Sequence, residues 1–141
     1  MQFIDDIGTL LTQPLINTDT YRGPHHAFAP PGLEYGHDYI EARKGGDFKE
    51  VQFFGLTYAL RYFMNQRITH GFVDEAVDSY RAHGVEIDEA GFRRVVDVHG
   101  GAAPVRIKAL PEGIITPQGT VQVTTESTDP QLAGLRSFYE T

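Results

Sequence analysis

Hydrophobic and polar residues change period several times along the chain, and each change marks an element. Between Thr69 and Gly84, Phe72, Val73, Ala76, Val77 and Tyr80 recur at the intervals that place them on one face of a helix. Thr69 is a suitable cap and Gly84 a suitable stop. A shorter helix is predicted from Asp88, with Phe92, Val95, Val96 and His99 on its inner side and Gly100-Gly101 at its end. Asp74, Glu75, Asp78, Arg81, Arg93 and Arg94 occupy the other faces and read as solvated charges. Residues 50–67 carry the strongest pattern, with Phe53, Leu56, Leu60, Phe63 and Met64 at helical spacing and Phe54, Tyr58 and Tyr62 widening the apolar face. They predict one continuous helix whose aromatic stripe serves as core or interface. Residues 1–16 repeat a weaker helical pattern through Phe3, Ile4, Ile7, Leu10 and Leu11.

Elsewhere the period drops to two. Val105, Ile107 and Ala109 alternate with Arg106, Lys108 and Leu110, which predicts a strand with one face on a core. Pro111-Glu112-Gly113 breaks it, Ile114-Ile115 resumes an extended run, and Thr116-Pro117-Gln118-Gly119 reads as a second turn. Val121 and Val123 alternate with Gln122 and Thr124 in a further strand, so the stretch predicts an antiparallel meander. Asp129-Pro130 then opens a helix, a capping side chain followed by proline at the first position. Leu132, Leu135 and Phe138 keep helical spacing to Thr141 without a closing cap, the pattern of a chain that stops inside an element. Nearer the start, Pro30-Pro31-Gly32 is a turn, Tyr35, His37 and Tyr39 share one face of a strand running to Glu41, and Lys44-Gly45-Gly46-Asp47 is a loop. On local chemistry Asp19 or Thr18 caps a helix start, with Pro24 tolerated in the first turn. Arg43, judged alone, is a solvated charge at a strand end.

The chain of 141 residues is the length of one domain, and 1–141 is taken as a single α+β unit, an antiparallel sheet with packed helices. Its formal charge of −7 argues against a nucleic-acid or anionic-membrane partner, either of which needs a basic surface. Without cysteine, thiol catalysis and zinc–thiolate sites are excluded. His25, His26 and His37 cluster in sequence, but no carboxylate stands at a ligand spacing, so no metal site is assigned. The first residues lack the basic region of a signal peptide and no apolar run reaches membrane length, so the cytoplasm is the default location.

The order of the turns says more than their physics. IKALPEGIITPQGTVQVTTESTDP resembles a stretch near the start of nicotinamide phosphoribosyltransferases, in which Pro-Glu-Gly, Pro-x-Gly and Thr-Asp-Pro follow at this spacing. Asp19-Thr20-Tyr21-Arg22 with His25 is similar to the family's Asp-Ser-Tyr-Lys-x-x-His element, Glu41-Ala42-Arg43 to its Glu-x-Arg, and Phe53-Phe54-Gly55-Leu56-Thr57-Tyr58 to its Phe-Tyr-Gly-Leu-Gln-Tyr. Arg22 stands where lysine is commoner, and Gly23-Pro24 and Ala29 depart from the pattern. The resemblance covers Ile16 to Thr141 and implies the N-terminal domain of a type II phosphoribosyltransferase, with the catalytic barrel downstream. It implies that nicotinamide and phosphoribosyl pyrophosphate are joined with Mg²⁺, in NAD biosynthesis, by a homodimer or with a barrel-containing second chain. Tyr21 would clamp the nicotinamide ring across a dimer interface, Asp19 would lie beside the same pocket, and Arg43 would hold phosphates. It assigns no catalytic residue or metal ligand to this segment, and the segment alone is expected to be inactive. Coupling to ATP stays open, as do a nicotinate-specific relative, one chain of a split enzyme, and a non-catalytic binding module.

Overall fold

The last strand of the domain is the one around which its main sheet is built. In the computed structural model, which describes residues 13–139 apart from the side chains of Phe63 and Met64, five strands form two antiparallel sheets. They are β1 (His37–Glu41), β2 (Glu50–Gln52), β3 (Val105–Ala109), β4 (Ile115–Pro117) and β5 (Val121–Ser127). The order β1-β5-β3 puts β5 in the middle, with Ile40 opposite Val123 and Val123 opposite Ala109. Asp38, Thr125 and Ile107 line up on the same inner face, while Tyr39, Thr124 and Lys108 share the outer one. The architecture is α+β, as expected.

The meander is not formed. β3 pairs directly with β5, and β4 leaves to pair with β2 in a separate two-stranded sheet. Proline lacks a donor for a central ladder, and Pro117 is accommodated opposite Glu50 in this edge-only pair. The Pro-Glu-Gly turn extends the same ladder, since Gly113 N donates to Phe53 O at 2.8 Å and Phe53 N to Ile114 O at 2.9 Å. The second turn is framed one residue later than predicted: Thr120 N donates to Pro117 O, and Gly119 takes φ +78° at the position that requires it.

The predicted helix over 50–67 divides. Glu50–Gln52 is strand, Gly55 at φ +99° turns the chain, and α1 (Leu56–Ala59) starts only there. It widens into a π-turn over Leu60–Met64, where Asn65 N reaches back five residues to Leu60 O at 3.1 Å. The Glu112 carboxylate accepts Thr57 N at 2.5 Å, and that hydrogen bond holds its pKa below the usual carboxylate range. The pattern misled because half of the stripe is exposed: Phe54 and Tyr58 are 80% and 66% accessible, and Tyr58 stacks on Tyr62 with ring centroids 5.5 Å apart.

The helical hairpin follows its caps. α2 (His70–Ala82) begins where Thr69 Oγ1 accepts Phe72 N at 3.2 Å, and α3 (Glu89–His99) where Asp88 Oδ1 accepts Gly91 N at 2.9 Å. Gly84 and Gly100 end them in left-handed conformation. Val73, Ala76, Tyr80, Phe92 and Val95 are buried with Leu15, Ile68, Leu132, Leu135 and Phe138 in one cluster. Phe92 meets Phe138 edge-on, centroids 4.9 Å apart. Most of the predicted surface charges are just that, with Arg93 bridging Asp74 and Glu89 at 2.7 Å each. Arg94 is a correction: its Nε donates at 2.8 Å to Asp129, a carboxylate only 4% exposed, which also accepts from His99 Nε2 at 2.7 Å. Burial alone would raise the pKa of Asp129, but hydrogen bonds from His99, the Gln131 amide and Arg94 outweigh it and hold it at about 2.

Asp129 caps the next element as predicted, accepting Gln131 N at 2.9 Å with Pro130 at the first position. The predicted α-helix is instead two 3-10 segments, Pro130–Leu132 and Leu135–Tyr139, separated by Gly134, a poor helix former. Leu132, Leu135 and Phe138 are all buried, so the inward face is as read even though the helix type is not. The helical pattern through Phe3 to Leu11 lies outside the described residues. No helix among the described residues is long and apolar enough to cross a membrane.

Candidate substrate-binding surface

Asp19 and Tyr21 stand on a 3-10 helix, Thr20–Phe28, that the chain seats through its arginine. Asp19 is not the side-chain cap: its carboxylate accepts no backbone amide at the helix start, and it is the Asp19 carbonyl that receives Arg22 N at 3.0 Å. The Asp19 carboxylate faces Arg22 Nε at 3.8 Å instead. Arg22 is buried, its guanidinium donating to the Ser137 carbonyl in the final 3-10 segment and passing 5.4 Å from the Tyr21 ring centroid. A guanidinium supplies several donors in a fixed plane, so one side chain can meet a carbonyl, a carboxylate and an aromatic face together. Beneath it Gly23 touches Tyr80, where a Cβ would fall 2.6 Å from the ring. That close approach explains a glycine at this departure from the family pattern, and burial raises the Tyr80 pKa. Tyr21 itself is 58% exposed, with His25 5.4 Å away, so its ring and the Asp19 carboxylate present a flat π-surface beside an acceptor.

Arg43 lies two residues past β1, exposed, on a loop held by a different part of the chain. Gly119 N donates to Ala42 O at 2.8 Å, and Gln118 N donates to Lys49 O at 3.0 Å. The Gln118 side chain accepts Gly45 N at 3.2 Å and donates to Phe48 O. At the opposite end of β1, Gly36 packs against Arg136, which pairs with Asp38 in the segment that also anchors Arg22. Asp19 and Tyr21 are therefore brought together, and Arg43 is presented separately. Nothing among the described residues joins it to them directly. Arg22 as the seat of the first group and Gln118 as the grip on the second were not picked out from sequence. A buried arginine next to an exposed tyrosine leaves no periodic signal, and Gln118 sits in what reads as an ordinary turn.

An apolar cavity of about 290 Å³ lies between the inner sheet face and α1, lined by Ile40, Leu56, Leu60, Ile107, Val123 and Phe138. None of Asp19, Tyr21 and Arg43 lines it. Among the described residues no group of three or more His, Asp or Glu side chains converges to hold a metal ion.

The family model for the nicotinamide phosphoribosyltransferase N-terminal domain matches residues 13–107, more than half of the chain. The chain belongs to this family. A nicotinamide phosphoribosyltransferase from Xanthomonas campestris pv. campestris (strain 8004) is 38% identical over 141 residues, which is 100% of this chain and 28% of that protein. The chain thus spans less than a third of the length of the curated relative. Asp19, Tyr21 and Arg43 all fall within the stretch that matches the nicotinamide phosphoribosyltransferase domain, whereas Gln118 lies beyond it.

Proposed function

We propose that this chain is the N-terminal segment of an enzyme that transfers the phosphoribosyl group of phosphoribosyl pyrophosphate to nicotinamide, giving nicotinamide mononucleotide and pyrophosphate for NAD biosynthesis. The ring nitrogen forms the new bond to the anomeric carbon as the bond to pyrophosphate breaks and the electron pair leaves with that group. The centre passes through an oxocarbenium-like state, so rate enhancement comes from positioning the ring and stabilising the departing charge. The observation that carries the reading is that the family's tyrosine and arginine positions are both exposed here on anchored backbone. Tyr21 stacks on the pyridine with Asp19 beside it, and Arg43 offers paired donors to phosphate oxygens. The ring clamp acts across a homodimer interface, and a barrel outside this segment supplies the remaining contacts and the ligands for Mg²⁺. The enzyme works in the cytoplasm, and the 141-residue chain alone is inactive.

Steady-state kinetics of the complete enzyme carrying this segment test the reading. Tyr21→Ala should weaken nicotinamide binding by about 1–3 kcal/mol, with Tyr21→Phe mild. Arg43→Lys keeps the charge but not the fork and should raise KM for phosphoribosyl pyrophosphate. Arg43→Ala should cost about 2–4 kcal/mol in kcat/KM without shifting Tm, as an exposed charge adds little stability. Unchanged kinetics would leave Tyr21 and Arg43 as surface residues. Turnover by the isolated chain would overturn the need for a barrel.

A further inference from the structure

The loop that carries Arg43 has no secondary structure of its own, yet it is tied down along its length by two residues. Between Ala42 and Lys49 it contains Gly45 and Gly46 and exposes every side chain from Arg43 onward, so burial does not fix its shape. Its backbone groups are instead collected by the Pro117–Thr120 turn. Gly119 N takes the Ala42 carbonyl, Gln118 Oε1 takes the Gly45 amide, Gln118 Nε2 takes the Phe48 carbonyl, and Gln118 N takes the Lys49 carbonyl. Three of these four bonds come from Gln118 and hold the chain after Lys44, while the Gly119 bond to Ala42 holds it before Arg43. The contact is close as well as polar: a Cβ at Gly119 would fall 2.5 Å from Lys44 Cε, and one at Gly46 would fall 3.2 Å from Gln118 Nε2. The turn is itself fixed by β4 and β5 on either side of it, so it is a rigid support for a loop that lacks one.

We propose that Gln118 is a positioning residue for phosphate recognition, acting through the loop to fix the direction in which Arg43 projects. The inference rests on the phosphate-binding reading of Arg43 given above. A guanidinium rewards fixed geometry more than an ammonium does, because its two parallel donors must meet two oxygens together. A free loop would still bring a positive charge near the substrate but would lose that paired approach, and displacements of an ångström are costly where binding depends on orientation. Gln118 never touches substrate in this arrangement. Its effect passes entirely through Arg43.

The test is a double-mutant cycle in the complete enzyme, using Gln118→Met, which keeps the side-chain length and removes its hydrogen bonds, with Arg43→Ala. Gln118→Met alone should raise KM for phosphoribosyl pyrophosphate three- to tenfold while leaving KM for nicotinamide and kcat within twofold. In the Arg43→Ala background it should add less than twofold. Amide hydrogen exchange of the 141-residue chain gives a reading independent of turnover: Gln118→Met should speed exchange at Gly45 at least tenfold and leave α2 and α3 protected. An unchanged KM, or a penalty that persists in full once Arg43 is gone, would overturn the positioning role, as would unaltered exchange at Gly45. Should Arg43→Ala itself leave KM for phosphoribosyl pyrophosphate untouched, the phosphate reading fails first and this inference falls with it.

Discussion

Tyr80, Phe92 and Phe138 are buried where α2, α3 and the final 3-10 segments meet, whereas Tyr39, Phe48, Phe54 and Tyr58 are exposed on the strands, loop and short helix of the other half. The two halves use their aromatic residues differently. One encloses its rings in a shared cluster and supplies most of the apolar burial. The other keeps its backbone in order through ladders, caps and turns, which leaves its side chains free to face outward. Stability and recognition are thus separated along the molecule. The candidate residues Tyr21 and Arg43 are exposed, but each is tethered to buried or strand-bound structure, by Arg22 in one case and Gln118 in the other.

The most severe test of that comparison is Phe92→Ala. Removing a ring that is buried against Phe138 should cost about 3–5 kcal/mol in urea unfolding, enough to unfold much of the population at ambient temperature. A cost under about 1 kcal/mol would mean that the helical half is not the core it resembles.

Asp129→Asn should come next, and it carries a pH signature. The folded carboxyl sits at about 2, below its ordinary value of 3.8, so its contribution is fully present above about pH 4 and is lost as pH falls through 2. At neutral pH the substitution should cost on the order of 2 kcal/mol, and the variant should lack this part of the acid-induced loss. Parallel acid limbs for the two proteins between pH 4 and 2 would remove Asp129 as the link between α3 and the C-terminal segment. The smallest effect belongs to the outward half: Phe54→Ser should change stability by less than about 0.5 kcal/mol. A loss like that of Phe92 would erase the contrast.

What could be read from sequence follows the same division. α2 and α3 were legible because period, caps and stops agree: Thr69 and Asp88 open them, Gly84 and Gly100 close them, and the predicted faces are the buried ones. The run at 50–67 misled because its apolar spacing is shared by a short strand, a turn and a helix in succession. Gly55 held the signal, and only a partner strand more than sixty residues later makes Glu50–Gln52 extended. The meander failed for the same reason, since β4 answers to β2 rather than to its neighbours in sequence. Asp129 looked like a simple cap, and nothing local says that Arg94 and His99 will reach it. As for the site, Asp19, Tyr21 and Arg43 came from the family's motifs. Their local chemistry favoured a cap and a surface charge, and the supports that hold them are tertiary.

The pairing of β1 with β5 also sets an order of events. His37 meets Glu126 across more than half of the chain, while the α2–α3 hairpin closes locally. Long loops are entropically slow to close, so the hairpin is expected to form while β1 still waits with an unpaired edge. During synthesis that wait lasts until Val121–Ser127 has emerged, and Arg43 remains on untethered chain throughout it. A product terminated before β5 would lose Leu132, Leu135 and Phe138 from its core and expose a bare strand, a state open to the wrong partner.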